Sequence, residues 1–453
     1  MKNEEVIEKA MSILSKYSLC DSCLGRQFAL LGSGLSNRER GKAIKIVIFM
    51  KSFSVTGTID SETLRYLCES GFKPAITIIE SRRLFECKAK SCYICGNILS
   101  EKSILEIVEK IEKKLEGLDF ESFKVGCRVN PDVLEREENI RSYFKLEYGE
   151  SIKSDINREI GKKLQKRLGK TYLLENPDVT IIVDFIKDII ELEIRPLCVY
   201  GRYRKLTRGI PQNVWYCPVC RGRGCDKCNN TGRLYQESIE EYIALPILSA
   251  ANGSDYKFHG AGREDIDVLT LGNGRPFVVE IKNPRVRKIN LEKIVNEINE
   301  KASGKVEVLF LKYTDRKTIR RIKRLAEISA KTYRAVVTFE NKICTEKLKE
   351  LEEFFKNRVV NQRTPKRVLH RRSDKLRKKT VFEVGAKKLN DNKVEFTIKC
   401  QGGLYVKELI TGDEGRTNPS FYDFLKVKVR SIVLDVINIE DVTDLSFIKS
   451  NVA

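Results

Sequence analysis

Residues 260–281 read GAGREDIDVLTLGNGRPFVVEI, the stretch whose residue types bear most directly on fold and chemistry. Asp265 follows an Arg-Glu pair, and a second carboxylate stands at Asp267. The apolar pattern predicts a strand over 265–271, a tight Gly272-Asn273-Gly274 turn and a second strand over 277–281. An acidic side chain beside an arginine stays ionised and can serve as nucleophile or base at neutral pH. The glycine turn is too short for a dinucleotide fingerprint and leads into a strand rather than a helix.

The rest of the chain is basic. Lys and Arg number 84 against 63 Asp and Glu, a formal net charge of +21 over 453 residues. A charge-rich thermophilic surface would account for the number of charges but not for their imbalance. The excess instead predicts binding to a phosphate backbone through counterion release. A chain of this length holds about two to four domains. It lacks an apolar run near the roughly 20 residues that a membrane helix needs, and no secretory apolar core opens it. A cytoplasmic protein with no membrane association and no obligate protein partner is expected.

Fourteen cysteines in such a protein point to metal before disulfides. Eight form four C-x-x-C pairs. Cys20/Cys23 and Cys92/Cys95 must meet across the intervening chain, whereas Cys217/Cys220 and Cys225/Cys228 lie within twelve residues. Two closed four-thiolate zinc sites are predicted, structural because neither leaves a position open for water. CPVCRGRGCDKCNNTGR, residues 217–233, also resembles the Cys-Gly repeats of DnaJ-type chaperones, but the chain has no His-Pro-Asp tripeptide. Cys68, Cys87, Cys127, Cys198, Cys344 and Cys400 read as small core residues.

Periodicity predicts an N-terminal accessory region over 1–118, with helices at 1–18, 37–53, 61–68 and 103–115. A small α/β unit follows over 119–206, with strands at 123–128, 179–185 and 189–194 and a basic helix at 155–168. Residues 207–232 read as a linker carrying the second cysteine quartet. An α+β domain fills 233–453, with helices at 238–250, 291–302 and 345–355. Its further strands are predicted at 306–313, 332–338, 380–384, 393–400 and 427–437.

Three other segments carry chemistry. KTYRAVV, residues 331–337, puts Tyr333 on a basic strand, suited to stack a base or offer a phenol. QRTPKRVLHRRSDKLR, residues 362–377, holds seven Lys or Arg in sixteen residues and reads as an RNA-contacting loop too basic to pack. GGLYVKELITGDEGRTNP, residues 402–419, supplies Lys407 and Arg416, either of which is able to hold the Asp265 carboxylate. His259 and His370, the only histidines, lie in basic motifs and are expected at phosphates or backbone.

Together these motifs resemble the pseudouridine synthases, and among them the archaeal "Pus ten" family acting on the TΨC arm of tRNA. Cys20-x-x-Cys23-Leu-Gly-Arg is similar to that family's accessory domain, and residues 120–206 to its THUMP-like RNA-binding module. The resemblance implies a pseudouridine synthase catalytic domain with a mixed or antiparallel sheet, preceded by a zinc-binding, THUMP-containing accessory region. It implies tRNA as partner, uridine 54 and/or 55 as substrate and no organic cofactor. Asp265 would be the catalytic aspartate, Tyr333 the ring against the uracil and Lys407 the basic partner. Arg263 would fill the gap left by a flipped base, and Tyr405, Arg416 and His370 are further candidate substrate contacts. A basic residue near Leu269 also belongs to the pattern, and this sequence lacks it. The competing reading is a non-catalytic, zinc-dependent RNA-binding factor, which leaves Asp265 in its Gly-Arg frame unexplained. A THUMP methyltransferase or thiouridine synthetase would need a nucleotide-binding glycine loop that is absent here.

Overall fold

A computed structural model describes residues 3–53 and 59–440. Two compact units divide between Arg195 and Pro196.

The first unit begins with six helices: α1 (Asn3–Lys16), α2 (Asp21–Gly25), α3 (Asn37–Lys51), α4 (Ser61–Glu69), α5 (Lys73–Ser81) and α6 (Glu101–Leu115). Then come β1 (Ser122–Arg128), α7 (Pro131–Tyr143), α8 (Ile152–Leu168), β2 (Thr171–Tyr172), β3 (Val179–Asp184) and β4 (Ile189–Ile194). The strands order β2-β1-β3-β4, parallel except for the β3–β4 hairpin. Polar capping starts the helices where expected. Ser36 and Glu39 form a reciprocal capping box on α3, and Ser100 caps α6. The boundary placed at 118 is not a packing boundary. One hydrophobic cluster runs from Ala10 through Ile111 to Val183, and buried Arg26 pairs with buried Glu137 across it.

The second unit comprises β5 (Leu197–Lys205), α9 (Ile239–Ala251), β6 (Asp255–Gly260), β7 (Leu269–Lys282), α10 (Leu291–Ala302), β8 (Val306–Thr314) and α11 (Arg316–Ile328). It continues through β9 (Ala330–Phe339), α12 (Thr345–Phe355), β10 (Arg358–Arg363), β11 (Leu376–Asn390), β12 (Lys393–Gln401), α13 (Val406–Thr411), β13 (Thr417–Asn418), α14 (Phe421–Leu425) and β14 (Val429–Ile439). Its mixed sheet runs β13-β10-β11-β12-β9-β14-β7-β5-β8, with β6 on β7. This is the α+β domain with a mixed sheet anticipated from the sequence.

Several expectations are corrected. β5, read as part of the smaller α/β unit, lies between β7 and β8 in the larger sheet, so the division falls before it rather than at 206. The Gly272-Asn273-Gly274 stretch makes no tight turn: β7 runs through it, and the ladder to β5 shifts register there. Gly272 and Gly274 take positive φ of 56° and 69°. A Cβ on Gly272 would come 1.9 Å from the Ile437 carbonyl oxygen, so the close approach of β14 requires glycine. Asp265 consequently sits in a loop, not a strand. Cys68 and Cys87 are not two separate thiols but a disulfide spanning 19 residues, which ties the segment after α5 to α4. Among the described residues no helix is long and apolar enough to cross a membrane.

Candidate active site

The loop over 261–268, between β6 and β7, is fixed from beneath. Glu264 is buried, 2.7 Å from Arg275 Nε, and accepts a hydrogen bond from the Tyr203 hydroxyl at 2.9 Å. Gln212 Nε2 donates to that hydroxyl at 2.8 Å and to the Gly262 carbonyl at 3.0 Å. Arg275 Nη1 donates to the Ala261 carbonyl at 2.9 Å, and buried Lys205 donates to that of Ile266 at 2.7 Å. Charge-assisted bonds of this kind contribute roughly 1.5–3 kcal/mol each. Lys205 stands on the adjacent strand β5, in register with Thr270 and so beside Leu269.

Above this network the Asp265 carboxylate emerges about one-third exposed. Arg367 Nη1 lies 3.1 Å from Oδ1 and 3.0 Å from Oδ2, and Lys407 Nζ lies 3.6 Å from Oδ2. Lys407 is closer to Asp267, at 2.7 Å. Burial opposes ionisation of Asp267, but the Lys407 ammonium outweighs it and holds that carboxyl below the usual range. Arg367 is itself oriented by Glu408, 2.6 Å from Nε.

Asp265 borders a cavity of about 800 Å³. Tyr333, Val268, Leu404, Val406, Leu434 and Val436 give it apolar surface, and lysines and arginines ring the rest. Tyr333 on β9 and Val436 on β14 are register partners, so the sheet itself supplies that wall. Burial pushes the Tyr333 phenol well above its ordinary value, so at neutral pH it is a donor rather than a base.

The cysteines converge as two quartets, one in each unit, with the four sulfurs of each lying within 4.8 Å of one another. Cys20 to Cys95, Cys217 to Cys225 and Cys220 to Cys228 are 3.8 Å apart. A tetrahedral zinc with Zn–S near about 2.3 Å separates its sulfurs by about 3.8 Å, so both donor sets fit that ion.

The family model described as "Pus10, C-terminal" matches residues 198–440, and "Pus10 THUMP domain, archaeal" matches 107–184. A protein of Thermofilum pendens named tRNA pseudouridine synthase Pus10 is 46% identical over 430 residues, covering 95% of this chain and 94% of its own. The chain belongs to the Pus10 family of tRNA pseudouridine synthases. Pus10 proteins of Methanocaldococcus jannaschii and Pyrococcus furiosus are 43% and 38% identical, covering 97% and 96% of this chain and 95% and 98% of their own.

Within this Pus10 fold the residues singled out from the sequence part into two groups. Asp265, Tyr333, Lys407, Tyr405 and Arg263 all border the cavity. The Tyr405 hydroxyl accepts from Arg372 at 2.8 Å, and the Arg263 guanidinium lies 5.7 Å from the centre of the Trp215 ring. Arg416 does not hold Asp265: it lies 2.6 Å from Asp374 and donates to the Thr364 carbonyl, stitching the loop after β10. His370 is exposed in the turn Lys366–Arg371 and is not part of the cavity lining. His259 Nε2 lies 3.2 Å from Glu280. The basic segment read as unable to pack does pack, burying Val368 and sending Arg367 to Asp265. Arg367, Lys205, the Glu264–Arg275 pair and Lys331 were missed. Lys331 was the most readable of these, since it shares the inward face of β9 with Tyr333 by alternation.

Proposed function

We propose that this Pus10 enzyme isomerises uridine in the TΨC arm of tRNA, at position 54 and/or 55, with Asp265 as its catalytic carboxylate. One observation supports this above the rest. Asp265 is the carboxylate held between Arg367 and Lys407 at the edge of the cavity that Tyr333 lines. In the reaction the glycosidic C1′–N1 bond breaks and a C1′–C5 bond forms. C5 loses a proton and N1 gains one, so the product is an isomer and needs no redox cofactor. Asp265 engages the nucleoside, and the apolar wall with Tyr333 holds the flipped, detached ring away from bulk water. Arg263, above Trp215, takes the space the base has left, and Tyr405 and Lys407 line its entry. The raised phenol of Tyr333 makes it a ring contact and donor.

Zinc at each cysteine quartet would cross-link the chain, a structural contribution outside the reaction. The +21 charge and the THUMP-family match support tRNA as the partner, bound through its backbone. The test is nucleoside mapping of an unmodified tRNA transcript after incubation with wild type and with Asp265→Asn. The variant should bind tRNA within threefold of wild type and form no pseudouridine. Turnover by Asp265→Asn, or modification confined to another arm, overturns the corresponding part of the reading.

A further inference from the structure

In the lining of the same cavity, Lys331 is a buried cation that forms no ion pair among the described residues. It is 5% exposed, lines the cavity, and its ammonium has no hydrogen bond or ion pair among the described residues. Its place is defined closely. In the sheet it sits between Cys400 on β12 and Ile439 on β14. A Cβ on Gly262 would lie 3.2 Å from Lys331 Nζ and 3.1 Å from Arg275 Nη1. Two cations therefore flank Gly262, which keeps its positive φ of 83° and its bare α-carbon between them. Glu264, the carboxylate that acts on Lys331 most, is already held by Arg275 and the Tyr203 hydroxyl. An unpaired buried ammonium is costly, and such groups are retained where function needs them.

We propose that Lys331 is a catalytic residue whose ammonium hydrogen-bonds a carbonyl oxygen of the flipped uracil and stabilises the negative charge that ring gains on leaving the ribose. The inference rests on the cavity beside Asp265 being the uridine pocket. When C1′–N1 breaks, its electron pair passes to N1 and spreads onto the ring's carbonyl oxygens. It is then used to form C1′–C5, so Lys331 donates hydrogen bonds throughout and transfers no proton. A donor already in place as charge develops favours the transition state over neutral bound uridine. A phosphate is the poorer occupant, because the exposed Arg372 and Lys378 offer it solvated cations without the cost of entering a buried site.

Arg275 on β7, Cys400 on β12, Glu264 in the loop and Lys379 on β11 act on Lys331, and Tyr333, Asp265, Glu327 and Lys323 line the same cavity. Burial first, and Arg275 second, bring its amine down to about 7. Burial keeps the Cys400 thiol protonated, raised to about 12.

The experiment compares full-length wild type, Lys331→Met, Lys331→Gln and Asp265→Asn on a tRNA transcript. It measures single-turnover pseudouridine formation across pH, tRNA affinity and melting. Loss of one preorganised donor lowers rate by about 10²–10³. Lys331→Met should therefore lose about a hundredfold in rate, keep tRNA affinity within threefold and melt no lower than wild type. Lys331→Gln, a donor without charge, should lose at least tenfold. The wild-type rate should fall on the alkaline side as the ammonium deprotonates, and the Lys331→Met residue of activity should lack that limb. Wild-type-like turnover by Lys331→Met, a parallel loss of tRNA affinity, or failure of both variants to fold each overturns the assignment. An inactive Asp265→Asn beside a fully active Lys331→Met sinks the lysine alone, whereas an active Asp265→Asn sinks the parent reading.

Discussion

Arg275 Nε stands 2.7 Å from the Glu264 carboxylate in a buried ion pair, one residue along the chain from Asp265. The pair pins the loop that carries Asp265 to β7, and its value lies in position more than in net stability.

Removing one partner strands the other. Arg275→Met should lower unfolding free energy by roughly 3–5 kcal/mol, the usual cost of an uncompensated buried charge. A Glu264→Gln/Arg275→Met double variant should recover much of that while turnover stays depressed, since the Ala261 carbonyl has still lost its donor. Urea denaturation beside single-turnover rates would decide it. An Arg275→Met protein as stable as wild type would refute the account.

Two buried lysines should each contribute stability that grows with pH above neutrality. Burial is the leading cause that depresses both Lys331, to about 7, and Lys205, to about 8. An unfolded lysine titrates near about 10.4. Between these values the unfolded chain binds more protons than the folded one, so unfolding free energy rises with pH. The penalty of each buried ammonium is complete below its folded value and fades as pH rises toward that of the unfolded chain. Lys331→Met should lack its share of the slope, and its advantage over wild type should shrink from pH 7 to pH 10. Superimposable slopes for the two proteins would contradict this.

Chelation should loosen each unit at its cysteine quartet. A strong chelator should lower the melting temperature and expose the quartet thiols to a thiol reagent, with turnover declining only as the fold does. Cys23→Ser should destabilise the first unit, where Cys23 is buried in the main cluster, more than Cys225→Ser destabilises the second. Loss of turnover with unchanged melting would mean that the metal acts in the reaction.

The Cys68–Cys87 link closes 19 residues. Loop-closure entropy assigns about 3 kcal/mol to a loop of that size. A Cys68→Ser/Cys87→Ser double variant should lose about that much stability in the first unit and leave the chemistry of the second intact. Equal denaturation midpoints with and without the cysteines would show that the link contributes nothing.

Local pattern carried much of this fold. Alternation located β3, β9 and β12, and helical spacing located α3, α6, α10 and α12, because each of these buries one regular face, whereas β4 was found by its alternation although none of its residues is fully buried. What escaped depends on partners distant in sequence. β5 looks like the end of the smaller unit until β7 and β8 flank it. Glycines with positive φ read alike in a turn and in the bulge that β7 adopts. Arg367 in its basic run and Arg416 in its glycine turn carry the same charge, and only the turn at Lys366–Arg371 decides which of them meets Asp265. Cysteine usage argued for thiols at 68 and 87, and their Cα separation of 6.5 Å is a property of tertiary structure.

Lys407 has two carboxylates within reach, Asp267 at 2.7 Å and Asp265 at 3.6 Å. A swing of Asp265 toward an incoming nucleoside therefore leaves no naked cation behind, because the ammonium keeps its seat on Asp267. Arg367 likewise keeps Glu408, 2.6 Å from its Nε, so a movement of the Asp265 side chain alone would leave both flanking cations paired.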